Sequence, residues 1–179
     1  MFLQKAWDLY LSKMKMQLAN AITLTNLSFG IIAIILIIND LSHKSLVFIF
    51  LAALFDRFDG MAARHFHAES QFGKELDSLC DLVSFGIAPA LLIYKLAFSA
   101  MLWVGIAVTI FYILAGAVRL ARYNVKEFDG AFRGLPITAA GVLLTLSYFI
   151  YPYVQDGVLI LFMLLLSFLM ISNVRIAKM

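Results

Sequence analysis

Six apolar stretches, each close to the length that crosses a bilayer, take up most of this chain. They run approximately over Ala21 to Ile38, Ser45 to Arg64, Leu76 to Leu96, Ala100 to Arg122, Leu135 to Pro152 and Gly157 to Val174. A membrane helix needs about 20 mostly apolar residues. In lipid only helices and closed barrels satisfy their own backbone polar groups. The expected fold is therefore an all-α integral membrane protein with six transmembrane helices. Composition agrees, since 63% of the 179 residues are hydrophobic and 14% are charged, against about 25% charged in a typical soluble domain.

Two regions follow. Residues 20–179 form one transmembrane domain. In residues 1–19, Lys5, Asp8, Lys13 and Lys15 interleave with Phe2, Leu3, Ala6, Trp7, Tyr10 and Met14 near a helical period. That pattern predicts an amphipathic interfacial helix with Trp7 and Tyr10 at headgroup level. It lacks the long apolar core of a signal segment. The net charge of +3 is modest and its basic residues are dispersed, so nucleic acid is not an expected partner. The single Cys80 excludes an internal disulfide and reads as a small packed residue.

Six spans place both termini on the side of the second and fourth linkers. Lys5, Lys13, Lys15, Arg57, Arg64, Lys74, Arg119, Arg122, Lys126, Arg133, Arg175 and Lys178 lie on or face that side, and only Lys44 and Lys95 the other. The positive-inside rule makes the basic side cytoplasmic and puts the protein in the cell membrane.

Against this apolar background, four carboxylates gather around the second linker, on the basic side. Asp56 and Asp59 are three residues apart on one helix; Asp77 and Asp81 are four apart on the next. Both spacings put the pair on one helical face, and a tight hairpin can turn the two faces together. Converging carboxylates in a low dielectric either take up protons or bind cations. Intramembrane acids are functional by default, and hard oxygen ligands favour Mg²⁺, Mn²⁺ or Ca²⁺ over zinc. His65 and His67 have no ligand spacing and read as linker residues. Gly60, Ala63 and Gly73 remove bulk near the acids, either for a ligand or for helix contact. Arg64 can pair with a phosphate or anchor at the interface. Metals, an arginine and open backbone together suggest a diphosphate substrate, clamped for in-line displacement. A carboxylate left partly free of metal can take a proton from an incoming hydroxyl.

The spacing D-x-x-D-G-x-x-A-R, eight residues, G-x-x-x-D-x-x-x-D from Asp56 to Asp81 resembles the signature of the CDP-alcohol phosphatidyltransferases without departure. The resemblance implies a six-helix fold, a CDP-linked donor, two divalent cations, an alcohol acceptor and release of CMP. It implies that Asp56, Asp59 and Asp77 ligate metal, that Asp81 does so too and acts as general base, and that Gly60, Ala63, Arg64 and Gly73 line the CDP site. Homodimers are typical of the family. Asn20 to Gly30 (NAITLTNLSFG), Arg119 to Asn124 (RLARYN) and Phe132 to Gly141 (FRGLPITAAG) are similar to the compact bacterial and archaeal phosphatidylserine synthases, although that branch commonly has Pro where Thr138 stands. Its substrates are CDP-diacylglycerol and L-serine.

Several residues keep two readings. Arg119 and Arg122 can hold a serine carboxylate or a phosphate, with Asn124 adding a hydrogen bond and Arg133 a further charge, or the arginines can be positive-inside anchors. Thr23 and Asn26 can face the nucleotide or serve a helix contact. Glycerol 3-phosphate or inositol phosphate as acceptor would use the same chemistry. A divalent-cation transporter fits poorly, because the acids sit at one membrane face instead of along a path through it. A CDP-lipid binding protein without turnover has no need of all four carboxylates.

Overall fold

The structure, a computed structural model, describes the backbone of residues 2–65, 70–99, 101–125, 132–172 and 175–176. It describes the side chains of 14–58, 60–61, 70–99, 101–125 and 134–172. Among the described residues the regular structure is helical apart from one pair of two-residue strands. Three helical rods among the described residues are long and apolar enough to cross a membrane: Met14–Ile38, Gln71–Phe98 and Leu102–Val125.

Helices α1 (Phe2–Ile38) and α2 (Ser42–His65) form a hairpin packed along its length. The turn passes through Asp40 at φ +60, a conformation that Asp tolerates better than most residues. Lys95 seals this end by donating to the carbonyls of Ile37 at 2.7 Å and Ile38 at 2.8 Å, which lie at the helix terminus and lack intrahelical partners. It also pairs with Asp40 at 2.8 Å. The buried stripe of α1 is Ala19, Thr23, Asn26, Gly30, Ala33 and Ile37, a three-to-four residue repeat. The sequence reading divided the chain at residue 19; here α1 runs through that point unbroken. Side chains 1–13, on which the amphipathic pattern rests, lie outside the described residues.

The second rod is the most buried of the three. It comprises α3 (Gln71–Asp81), a π-helical turn (Leu82–Ile87), α4 (Ala88–Ile93) and a second π turn (Tyr94–Phe98). Pro89 has no N–H to give the Phe85 carbonyl, its partner in a regular α-helix. The buried Tyr112 hydroxyl donates to that carbonyl at 3.3 Å. Helices in lipid associate through close contact rather than through exclusion of water, and glycine makes that contact possible here. A Cβ on Gly30 would stand 3.0 Å from Ser84 Cα, and one on Gly141 would stand 2.7 Å from Phe85 O.

Helix α5 (Leu102–Val125) reaches past Arg122, where the apolar stretch ends. Its last turn is held to α3: Asn124 Nδ2 donates to Glu75 Oε2 and to Ser78 Oγ, each at 3.0 Å, and Lys74 Nζ donates to Asn124 O at 3.3 Å. Polar docking extends the helix where hydropathy marks a linker. Beyond it, β1 (Phe132–Arg133) pairs antiparallel with β2 (Arg175–Ile176). Gly134 follows at φ +75, and a Cβ there would meet Met170 O at 2.6 Å, so the turn needs glycine twice over. Leu135 N–H donates to Leu169 O at 3.0 Å. This clamps the start of α6 (Ile137–Ile150) to the end of α7 (Asp156–Ile171). Pro136 is the N-cap residue of α6. A 3₁₀ turn (Tyr151–Tyr153) ends the α6 segment.

Candidate active site

One oxygen from each of Asp56, Asp77 and Asp81 lies within 4.8 Å of the others. Asp56 comes from the last three turns of α2, and Asp77 and Asp81 from one face of α3. Asp81 is buried and the other two are half-buried. Asp56 is within hydrogen-bonding reach of Asp81 and accepts from the Thr138 hydroxyl, Oγ1 to Oδ2, at 3.3 Å. Hard, anionic oxygens brought this close in a low dielectric fit a divalent cation. The side chains of Asp59, Ala63, Arg64 and Arg133 lie outside the described residues.

The two candidate arginines have different surroundings. Arg119 is half-buried, its charge is felt by Asp81, and its Nε has no hydrogen-bond partner among the described residues. Arg122 is exposed and donates through Nη1 to Ile171 O at 2.9 Å, covering a carbonyl at the end of α7. Asn124 belongs to the Ser78–Glu75 network.

Asn26 is fully buried on α1, and neither of its amide atoms has a hydrogen-bond partner among the described residues. Its backbone carbonyl accepts from Ser84 Oγ at 3.3 Å. Thr23 is buried and returns its hydroxyl to Ala19 O at 3.2 Å. Gly60 is half-buried in α2. Gly73 lies in the first turn of α3, with its N–H bonded to Ser70 Oγ at 3.0 Å. The space beside it is taken by Asn20 Oδ1, 3.1 Å from an ideal Cβ.

Residues 16–172 match the family model for CDP-alcohol phosphatidyltransferase. The chain belongs to the CDP-alcohol phosphatidyltransferase family. Among its relatives, the CDP-diacylglycerol–serine O-phosphatidyltransferase of Bacillus subtilis (strain 168) is 37% identical over 155 residues, 86% of each chain. The protein of the same name from Methanocaldococcus jannaschii is 36% identical over 162 residues, 90% of this chain and 74% of the relative. An archaetidylserine synthase of Methanothermobacter thermautotrophicus is 35% identical over 164 residues, 88% of this chain and 68% of the relative.

For a CDP-alcohol phosphatidyltransferase the acidic constellation is the expected centre, and three of its four carboxylates are seen to converge. The contribution of Thr138 was not anticipated. In the sequence it stood out only as a departure from the branch that the chain resembles. Its partner Asp56 is 82 residues away, on a helix that no local pattern links to α6.

Proposed function

We propose that this protein is a phosphatidylserine synthase that transfers the phosphatidyl group of CDP-diacylglycerol to L-serine and releases CMP. The observation that carries this reading is the convergence of Asp56, Asp77 and Asp81 within the family motif. Relatives named for the serine reaction support the choice of acceptor. In this reading six helices span the cell membrane, the amphipathic start of α1 meets its surface, the site opens to the cytoplasm and the protein works as a homodimer.

Asp56, Asp59, Asp77 and Asp81 would hold two divalent cations, Mg²⁺ or Mn²⁺. When bound, such cations neutralise the diphosphate and stabilise the charge on departing CMP. Gly60, Ala63, Arg64 and Gly73 line the CDP site with Thr23 and Asn26. The unpartnered carboxamide of Asn26 suits a polar edge of the nucleotide, since a buried amide left unsatisfied is destabilising. Arg119, within electrostatic reach of Asp81, receives the serine carboxylate, within a rim formed by Arg122, Asn124 and Arg133. Asp81 takes the proton of the serine hydroxyl. The serine oxygen forms a bond to the lipid-bearing phosphorus as the bond from that phosphorus to CMP breaks. A single displacement of this kind inverts configuration at phosphorus.

The test is an assay of the purified protein with CDP-diacylglycerol and labelled serine, glycerol 3-phosphate or inositol phosphate in parallel. Serine-dependent release of CMP with labelled phosphatidylserine is expected. Turnover with a phosphorylated acceptor and none with serine would move the protein to another branch of the family.

A further inference from the structure

The hydroxyls of Thr23, Thr25, Ser28, Thr145 and Ser167 each donate to the carbonyl four residues back in their own helix. This is the ordinary fate of a helical hydroxyl, because the backbone offers the nearest acceptor. Thr138 behaves differently. It is the second residue of α6, and four residues back lies Gly134, outside the helix at φ +75. Its hydroxyl crosses to α2 instead and donates to Asp56 Oδ2.

Packing holds the hydroxyl in that position. Ile137, the first residue of α6, is fully buried. Gly141, one turn beyond Thr138 on the same face, lies so close to the backbone of Phe85 that no side chain fits between them. Phe85 belongs to the π turn that follows Asp81. Helix α6 is therefore seated against the rod that carries Asp77 and Asp81, while its first turn touches the third acid, Asp56.

We propose that Thr138 is a positioning residue for the metal centre: its hydroxyl fixes the rotation of the Asp56 carboxylate within the acidic cluster. The proposal rests on Asp56 being a metal ligand. A carboxylate held in its binding rotamer loses less freedom when the cation arrives. Groups that hydrogen-bond to metal ligands typically contribute about 10–100-fold in affinity or activity. At 3.3 Å the Thr138 contact is long for a hydroxyl–carboxylate bond, so the expected effect is smaller, about 3–10-fold.

The experiment is a Mn²⁺ titration followed by electron paramagnetic resonance, on purified protein in lipid nanodiscs without substrate. Wild type, Thr138→Val, Thr138→Ser and Asp56→Asn are compared, with thermal unfolding as a check on folding. Thr138→Val should weaken Mn²⁺ binding about 3–10-fold and alter the spectrum of the bound ion, and Thr138→Ser should restore both. Adding Thr138→Val to Asp56→Asn should cause no further loss, because the hydroxyl acts through that carboxylate. Wild-type Mn²⁺ affinity in Thr138→Val, with binding lost in Asp56→Asn, would overturn the role of Thr138 and leave the metal centre standing. Unchanged binding in Asp56→Asn would overturn both. Weakening in Thr138→Val that serine does not restore would mark a packing effect and also defeat the proposal.

Discussion

Changing Asp77 to Asn removes one negative charge from the cluster and almost nothing else, since the side chains have nearly the same shape. The three acidic oxygens lie within 4.8 Å of one another, so two ionised carboxylates repel by at least about 3.5 kcal/mol at an effective dielectric of about 20. Asp77 takes part in two such pairs, for a gross penalty of about 7 kcal/mol. Proton uptake relieves most of it, leaving about 1–3 kcal/mol as the expected gain from Asp77→Asn in the absence of metal. For a chain of this length that corresponds to a rise in Tm of about 2–12 °C. Metal reverses the order. A cation present at about 100 times its Kd stabilises a protein that binds it by about 2.7 kcal/mol, and Asp77→Asn should forfeit most of this. The assay is thermal unfolding in detergent, first with EDTA and then across a Mg²⁺ series. Wild type should gain steeply with Mg²⁺, while the variant starts higher and stays nearly flat. A variant that is less stable in EDTA, yet keeps the full Mg²⁺-dependent rise, would refute the idea that these carboxylates are gathered around a cation.

Asp81→Asn should lower turnover by about 10²–10⁴-fold while metal-dependent CDP binding, read by calorimetry, largely persists; near-normal rates would remove Asp81 as the base. Arg119→Ala should raise the serine KM about 10-fold or more with less change in the KM for CDP-diacylglycerol. Arg122→Ala should instead lower stability by about 1 kcal/mol through loss of its bond to Ile171 O, and raise the serine KM less than Arg119→Ala does; kinetics that reverse the two arginines would reverse their roles. Gly141→Ala should destabilise by about 1–3 kcal/mol because the new methyl meets the Phe85 backbone, measured as a fall in Tm. An unchanged Tm would show that α6 can back away from the π turn.

Much of the site is legible in the amino-acid sequence. Asp77 and Asp81 share a face because four residues make about one helical turn, and the chain is too apolar for such acids to be incidental. The two arginines show where that reasoning stops. Arg119 and Arg122 look equivalent three residues apart, yet one lies near Asp81 and the other reaches the end of α7. Side chains three residues apart are offset by only about 60° around a helix, yet two long arginines so placed can still meet different neighbours, and the sequence does not say which. The end of α5 lies beyond the apolar stretch for a related reason. Hydropathy stops at Arg122, but Asn124 finds Glu75 and Ser78 on α3, and the helix continues to Val125.

By itself the sequence determined the apolar helices and the presence of acidic side chains among them. These depend on the period of the backbone and on how each residue partitions between lipid and water, both local properties. Only the tertiary structure decided that Asp56 meets Asp77 and Asp81, that Thr138 touches Asp56, and that Asn26 is buried with its amide unsatisfied. Those contacts join helices far apart along the chain. They depend on how closely backbones approach at places such as Gly30 and Gly141, a property of pairs of surfaces rather than of any one segment.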